Sequence, residues 1–187
     1  EDKDIASEKE RVRKRGIEYL RDTIELVREM NSDKLSGLIH GAWNISVDLS
    51  EVDKEAYLDR SVESMKEVIG TAEDLDVLCN VEVVNRFEQF TLNTGQEALD
   101  YIERVSSPNL KILMDTYHMN IEEDSMHESI VNVGNDMGHF HIGENNRKPP
   151  GQGGHLDWKA IAAGLDEIDY DGDIVMEPFL LPGGTIS

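Results

Sequence analysis

Four polar residues recur along the chain, each within or just after a short apolar run. They are Glu82 in NVEVVNRFE, Asp115 in LMDTYH, His141 in GHFHIGE and Glu177 in VMEPF, at intervals of 33, 26 and 36 residues. Three carboxylates and one imidazole form a ligand set suited to Mn²⁺, Mg²⁺ or Co²⁺ and less suited to a soft metal. A divalent cation would also offset the cost of burying several carboxylates together. The recurrence therefore predicts one metal site, built by residues from four successive structural units.

Taken singly, each of these four residues is more often structural than catalytic. An isolated glutamate at a strand end is usually a satisfied acid, and an aspartate before a threonine commonly forms an Asx turn. Recurrence in four consecutive units changes that balance, because chance seldom repeats one placement four times. His139, two residues before His141, is expected to share its face of a regular strand as a structural neighbour.

The elements that must position these residues alternate between strands and helices. Helical apolar spacing is predicted for about residues 7–30, from Leu58 to Ile69, for about 95–105, from Met126 to Met137 and from Ile161 to Ile168. Apolar runs typical of strands cover residues 35–43, 77–84, 110–118, 139–144 and 173–179. Nearly continuous apolar strands separated by helices indicate a parallel sheet covered by helices, which is an α/β architecture.

The intervals between the four polar residues correspond to about one strand-and-helix unit each, the repeat of a (β/α)8 TIM barrel. In such a barrel the carboxyl ends of the strands meet at one mouth, where the four side chains would converge. A whole barrel takes about 250 residues, so we expect this chain to cover about strands four to eight. The prediction is one barrel domain over residues 1–187, incomplete at its N-terminus and without the last helix.

The charge balance restricts the partners of the chain. Its 187 residues include 39 Asp and Glu against 18 Lys and Arg, for a formal net charge of −21. Such a surface repels nucleic acid and anionic membranes, and no apolar run approaches the roughly 20 residues of a membrane span. The opening EDKDIASEKERVRKRG lacks the apolar core of a secretory signal. Because Cys79 is the only cysteine, no internal disulfide is possible, and we expect a cytoplasmic protein without nucleic-acid or membrane partners.

Four segments together closely resemble one family of sugar enzymes. VEVVNRFEQFTLNT, MDTYHMNIEED, GHFHIGENNRKPPGQG and VMEPF resemble the ketose 3-epimerases of D-tagatose, D-psicose (D-allulose) and L-ribulose, within the xylose isomerase-like (β/α)8 barrels. The resemblance runs over roughly residues 77–184, and residues 7–70 fit the helix, strand and helix before it. By this resemblance the metal ligands fall on Glu82, Asp115, His141 and Glu177. The substrate-contacting residues fall on Glu88, His118 and Arg147.

The resemblance implies a metal-dependent epimerisation of a small ketose at C3. The reaction removes the proton beside the C2 carbonyl and returns one to the opposite face, so it needs an acid/base group on each side. Glu82 and Glu177 are the predicted pair, and Mn²⁺ is the predicted metal, with Mg²⁺ or Co²⁺ as alternatives. His118 and Arg147 are expected to hydrogen-bond the O1 and O2 end of the sugar, and Glu88 to orient His118 or a hydroxyl.

Four further expectations accompany this interpretation. Trp43, after the first predicted strand, either lines the sugar site or is a packed aromatic. Glu144 is expected to hold its loop by hydrogen bonds. Without the resemblance, His118 would be interpreted as a loop histidine. The family also implies a homo-oligomer, a dimer or a tetramer, for the full-length protein.

Other functions stay open at this point. An aldose-ketose isomerase or a hydroxypyruvate isomerase of the same superfamily would use similar glutamates to move a proton between C1 and C2. The apurinic endonuclease branch needs more histidines than the six of this chain provide in place, and the charge of −21 speaks against DNA. An inactive fragment that binds metal or sugar is the alternative from a different class. Product analysis separates the isomerases from an epimerase, and a salt-independent failure to bind DNA excludes the endonucleases. Metal binding without proton exchange would support the inactive fragment.

Overall fold

The computed structural model of the chain describes residues 2–43 and 52–179. Within these ranges the α-helices are α1 (Glu10–Glu29), α2 (Lys54–Leu75), α3 (Gly95–Val105), α4 (Thr116–Glu122), α5 (Met126–Val133) and α6 (Trp158–Glu167). The strands are β1 (Lys34–Gly37), β2 (Leu78–Glu82), β3 (Leu110–Asp115), β4 (Met137–Ile142) and β5 (Asp173–Met176). Residues 180–184, the end of the stretch that carries the family resemblance, lie outside the described residues.

The five strands form one parallel sheet in the order in which they occur along the chain. Although β1 and β5 are the opposite edges of this sheet, Lys34 Nζ in β1 lies 2.6 Å from Asp173 Oδ2 in β5. A flat sheet would hold these two strands about 19 Å apart, beyond the reach of one lysine side chain. The sheet is therefore strongly curved, and the predicted α/β architecture is present as part of a barrel.

The helices bury one apolar face each, as the spacing of their apolar residues predicts. In α2 this face consists of Leu58, Val62, Met65 and Ile69, all of them buried. At the start of α3, the Thr94 side chain accepts the backbone N–H of Glu97, and the Glu97 side chain accepts the backbone N–H of Thr94. This reciprocal pair satisfies donors of the first turn that have no partner within the helix. Local sequence thus determines where α3 begins.

Four of the predicted strands are shorter than their apolar runs, and for two of them a local cause is visible. In the run 35–43 the strand ends at Gly37, whose φ of +137° departs from the extended path. The run 110–118 ends as a strand at Asp115, whose side chain accepts the backbone N–H of Tyr117 and so caps α4. His118 therefore lies on a helix, and its interpretation as a loop histidine is wrong.

The prediction that Met137 ends a helix is also wrong. Helix α5 stops at Val133, and Gly134 has a φ of +53°, a conformation that glycine adopts without steric cost. A single 3₁₀ turn follows, and Met137 is the first residue of β4. Met137 follows Val133 by four residues and so fits the periodicity of a helix face, but Gly134 ends the helix before Met137 is reached.

Strand β5 differs from the inner strands because its side chains are exposed. Ile174 is 49% exposed and Met176 is 62% exposed, whereas β3 is almost wholly buried. Within the described residues, β5 is an edge strand that pairs with β4 alone. No helix in the described ranges is both long enough and apolar enough to span a bilayer.

Candidate metal centre

The ends of four strands bring the predicted ligands to one place. Glu82 is the last residue of β2, Asp115 is the last residue of β3, and His141 is paired with Asp115 in the register of β3 and β4. Glu177 follows directly after β5, where its backbone N–H donates to Ile142 O. One ligand atom from each of the four side chains lies within 4.8 Å of the other three. The convergence expected at the mouth of a barrel is thus present.

The cluster has the chemistry of a divalent cation site. Asp115 is fully buried, and the Glu82 side chain is only 15% exposed, so their charges are removed from bulk water. His141 Nδ1 is buried and makes no hydrogen bond of good geometry, although Glu177 Oε2 lies 3.4 Å away. An unpartnered imidazole nitrogen beside three carboxylates is a donor set that fits Mn²⁺ or Mg²⁺. The residues present therefore fit the metal that the sequence pattern predicted.

Burial and mutual repulsion separate the acidities of these carboxyls. Burial, together with the charges of Glu177 and Asp115, raises the pKa of Glu82 to about 7. Burial likewise raises the pKa of Asp115 to about 6, against the opposing charge of Arg147. Burial also opposes ionisation of Glu177, but the neighbouring His141 ring and Arg147 outweigh it and lower the pKa of Glu177 to about 2. Two glutamates of the same site thus differ widely in proton affinity.

Arg147 joins the cluster through its guanidinium group. Its Nη1 donates to Asp115 Oδ2 at 2.7 Å and to Glu177 Oε2 at 2.9 Å. The guanidinium carbon stands 3.9 Å from the centre of the Tyr117 ring and 4.7 Å from that of Phe179. Arg147 has a left-handed backbone, with a φ of +60°, which is uncommon outside glycine and recurs at functional sites. The loop after β4 thus delivers a cation to the carboxylates.

His118 lies on α4 with its ring almost completely buried. Its Nε2 is 3.8 Å from both Glu82 Oε1 and Asp115 Oδ2, and 3.2 Å from Arg147 Nη2. Burial lowers the pKa of His118 to about 4, and the charge of Arg147 acts in the same direction. His118 is therefore a neutral ring whose Nε2 edge faces the carboxylate cluster.

Glu88 is present at the site, but it does not contact His118 directly. Its Oε1 lies 4.0 Å from His118 Nδ1 and accepts a hydrogen bond from Asn85 Nδ2 at 2.9 Å. Its Oε2 accepts a hydrogen bond from Trp43 Nε1 at 3.0 Å. Trp43 is 47% exposed, so it is not a packed aromatic, which was one of the two expectations for this residue.

Asn85 is the residue that sequence reasoning missed. It is 1% exposed and hydrogen-bonds both His118 and Glu88. The available signal was its position, three residues after Glu82 in the polar segment that leaves β2. Nothing in the spacing of the chain indicates that this amide lies between two residues 30 positions apart in sequence, Glu88 and His118.

The two neighbours of the candidate ligands on β4 and its loop behave as expected. The rings of His139 and His141 are 5.0 Å apart between centroids, so both project from one face of the strand. Glu144 is fully buried, and its Oε1 accepts hydrogen bonds from Gly151 N at 2.7 Å and from Trp158 Nε1 at 2.9 Å. Glu144 therefore ties both ends of the loop that carries Arg147.

Replacing Glu144 by Ala is expected to lower the free energy of unfolding by about 2 to 4 kcal/mol, because two partly buried hydrogen bonds lose their buried, charged acceptor. Urea denaturation of the variant and the wild type measures this difference. Gln152→Ala is the matched control, since Gln152 is an exposed residue of the same loop and its truncation should cost less than about 0.5 kcal/mol. Equal losses in the two variants would contradict the anchoring role of Glu144.

Comparison with known proteins relates this chain and its fold to sugar epimerases. The family model of the xylose isomerase-like TIM barrels matches residues 2–185. The chain is 38% identical to the D-psicose 3-epimerase of Enterocloster bolteae, over 97% of this chain and 60% of that protein. It is 40% identical to the D-psicose 3-epimerase of Agrobacterium fabrum, over 98% and 63%, and 34% identical to the L-ribulose 3-epimerase of Mesorhizobium japonicum, over 95% and 59%.

Solved structures give the same result. A crystal structure of D-psicose 3-epimerase in the presence of D-fructose superposes with a TM-score of 0.92 at 39% identity, over 99% of this chain and 63% of that one. A structure of L-ribulose 3-epimerase superposes with a TM-score of 0.90 at 35% identity, over 95% and 59%. The chain thus spans about 60% of the length of the curated relatives that it matches. The predicted TIM-barrel fold class is confirmed.

Proposed function

This chain belongs to the xylose isomerase-like TIM barrel family, and on that premise we propose that it provides the metal and substrate residues of a ketose 3-epimerase. The proposed enzyme is an isomerase that interconverts small ketoses differing at C3, of the D-psicose, D-tagatose or D-fructose type. Relatives named D-psicose 3-epimerase and L-ribulose 3-epimerase support it. Because the chain spans about 60% of their length, the activity is proposed for the whole protein.

The observation that carries the proposal is the cluster of four ligand atoms at the strand ends, within 4.8 Å of one another. Glu82, Asp115, His141 and Glu177 are the proposed metal ligands, and Mn²⁺ is the proposed ion. When bound, the ion would supply positive charge that polarises the C2 carbonyl and stabilises the negative charge formed on proton removal. The fully buried Asp115 and the largely buried His141 are proposed to act only as ligands.

Glu82 and Glu177 are proposed to move the proton at C3. They enter the cluster from β2 and from the end of β5, which are separated by two strands of the sheet. Approach from two sides is what inversion requires, because one group removes the proton and the other returns a proton to the opposite face. The two groups exchange roles when the reaction runs in reverse.

The remaining proposed residues hold the sugar oxygens. Arg147 and His118 present donors beside the carboxylate cluster, where they would hydrogen-bond the O1 and O2 end of the ketose. Glu88 is the proposed partner of a sugar hydroxyl, since its carboxylate is held by Trp43 and Asn85. Preorganised donors at the oxygen that gains charge lower the barrier without reorganisation during the reaction.

Three broader features belong to the same proposal. We propose that residues 1–187 contribute to a single barrel domain, that the whole protein is a dimer or tetramer of identical chains, and that it acts in the cytoplasm. Each follows from the family interpretation and from the composition of the chain.

The proposed function is tested by incubating the protein with Mn²⁺ and D-fructose or D-tagatose in D₂O. The metal is then removed, and NMR locates the deuterium in the recovered sugars. Deuterium at C3, together with formation of the C3 epimer, is the expected result. Deuterium at C1 would instead identify an aldose-ketose isomerase. Binding of Mn²⁺ without any exchange would leave a protein that binds metal and does no proton chemistry.

A further inference from the structure

Asn85 connects two of the side chains that are proposed to contact the sugar, His118 and Glu88. Its Nδ2 lies 2.8 Å from His118 Nδ1 and donates to Glu88 Oε1 at 2.9 Å. Its Oδ1 accepts the backbone N–H of Phe87 at 3.0 Å. A flipped amide would turn its oxygen towards the Glu88 carboxylate and its NH₂ group towards the Phe87 N–H. The contacts to Phe87 and Glu88 therefore determine that Nδ2, a donor, faces His118.

This orientation decides which nitrogen of His118 carries the proton. A neutral imidazole has one N–H and one acceptor nitrogen. Nδ1 of His118 faces two donors, the backbone N–H of Asn85 at 3.1 Å and its Nδ2 at 2.8 Å. A bare Nδ1 accepts from both, whereas a protonated Nδ1 would set an N–H against two donors in a buried place. The proton therefore belongs on Nε2.

The Nε2 edge of the ring faces two acceptors and one donor. Glu82 Oε1 and Asp115 Oδ2, both acceptors, lie 3.8 Å from Nε2. Arg147 Nη2 lies 3.2 Å from it and can only donate, so this contact brings two donors side by side. Two adjacent donors can share one acceptor oxygen, which is the arrangement that stabilises a developing oxyanion. The pair faces the carboxylate cluster, where such an oxygen would lie.

We propose that Asn85 is a positioning residue that holds His118 as the neutral tautomer with its proton on Nε2, aimed with Arg147 at one substrate oxygen. This inference rests on the proposed function for the identity of that oxygen, the O1 or O2 of a ketose. In this role His118 donates a hydrogen bond and takes no part in transferring the C3 proton. Proton transfer is then left to the two glutamates.

The position of the proton is measurable without turnover. Long-range ¹⁵N–¹H NMR of histidine-labelled protein with Mg²⁺, which does not broaden the spectrum, distinguishes a bare nitrogen from an N–H. His118→Gln identifies the signals of His118 among the six histidines. We expect a bare Nδ1 and a protonated Nε2 in the wild type. Asn85→Asp keeps the shape of the side chain but turns the donor into an acceptor, so we expect Nδ1 to gain a proton.

Asn93→Asp is the matched control. Asn93 lies in the same loop, and its Nδ2 donates to Val84 O and Gln89 O, away from His118. The control should keep the wild-type tautomer. Asn85→Asp should lower kcat/KM for the ketose by about tenfold to hundredfold, because the His118 donor is then misplaced. Metal affinity should differ little between the two variants, because neither asparagine belongs to the cluster.

The outcomes separate this inference from the proposed function. A protonated Nδ1 in the wild type, or an Asn85→Asp spectrum identical to that of the wild type, would overturn the role of Asn85 even if C3 exchange proceeds normally. If Nδ1 is bare but no exchange occurs at C3, the proposed function would be overturned, and with it the role of His118 as a donor to a ketose. If both asparagine variants lose the tautomer with its proton on Nε2, the role of Asn85 would also be overturned, because the integrity of the loop would then be the cause.

Discussion

Replacing Glu177 by Gln is expected to slow interconversion of the C3 epimers by about 10³-fold, within the range that general acid–base catalysis contributes. Glutamine keeps the size of the side chain and one oxygen near the cluster, but it cannot accept and return a proton. The proton on one face of C3 then has no base, so inversion is slowed in both directions. Epimer formation is measured by NMR or chromatography at saturating Mn²⁺.

Deuterium exchange makes this prediction sharper. The remaining Glu82 still removes the C3 proton from the epimer that presents it to that side, and it takes up deuterium from D₂O. The Glu177→Gln variant should therefore label one epimer without inverting it and leave the other epimer unlabelled. Glu82→Gln should give the complementary pattern. Such a complementary pair is the signature of two bases on opposite faces.

Asp115→Asn is the control for loss of metal. It alters a fully buried proposed ligand that has no part in moving the C3 proton. At saturating Mn²⁺ this variant should exchange both epimers, even though more Mn²⁺ is needed to reach saturation. If Glu177→Gln still inverts C3 at a comparable rate, Glu177 is not an acid/base group.

In protein stripped of divalent metal, we expect the free energy of unfolding of Glu82→Gln to increase relative to that of the wild type as the pH rises from 5 to 8. The pKa of Glu82 is about 7 in the folded chain against an ordinary value of 4.5. The folded state therefore holds a proton that the unfolded state has lost, and the wild type loses stability as the pH rises towards 7. Glutamine carries no charge in either state and avoids this loss. The difference in free energy of unfolding between the variant and the wild type should grow by about 2 to 3 kcal/mol over this pH range.

Comparing the variant with the wild type removes the effect of the histidines. His40 and His118 have lowered pKa values and stabilise the fold as the pH rises, but they are common to both proteins. Urea denaturation in EDTA at pH 5, 6, 7 and 8 measures the difference. With Mn²⁺ the sign should reverse, because the substitution then removes a ligand that stabilises the folded state.

Glu122→Gln is the matched control for this pH series. The pKa of Glu122 is lowered by its hydrogen bond with Arg86, so Glu122 is ionised in both folded and unfolded states above pH 5. Its replacement should change stability by an amount that does not depend on pH in this range. If the stability difference between Glu82→Gln and the wild type is also independent of pH, the folded chain does not bury a protonated Glu82.

Much of the fold was predictable from the sequence because it depends on local patterns. Apolar spacing located α2 and α3, and short apolar runs located β2 and β4. Boundaries were less predictable where a polar cap or a glycine intervenes. The side chain of Asp115 caps the helix that follows β3, and Gly134 ends α5 before Met137. Periodicity records which residues are apolar, whereas these boundaries depend on single backbone hydrogen bonds and dihedral angles.

The candidate site divides in the same way. The sequence by itself determined the four proposed ligands, because successive strands of a parallel sheet bring equivalent positions to one edge and a fixed interval is visible in one dimension. Only the tertiary structure decided that Arg147 bridges Asp115 and Glu177. It also decided that Asn85 lies between His118 and Glu88. Those contacts depend on loop paths and side-chain directions, which no periodicity encodes, since distances between loops are set by the packing of the whole sheet.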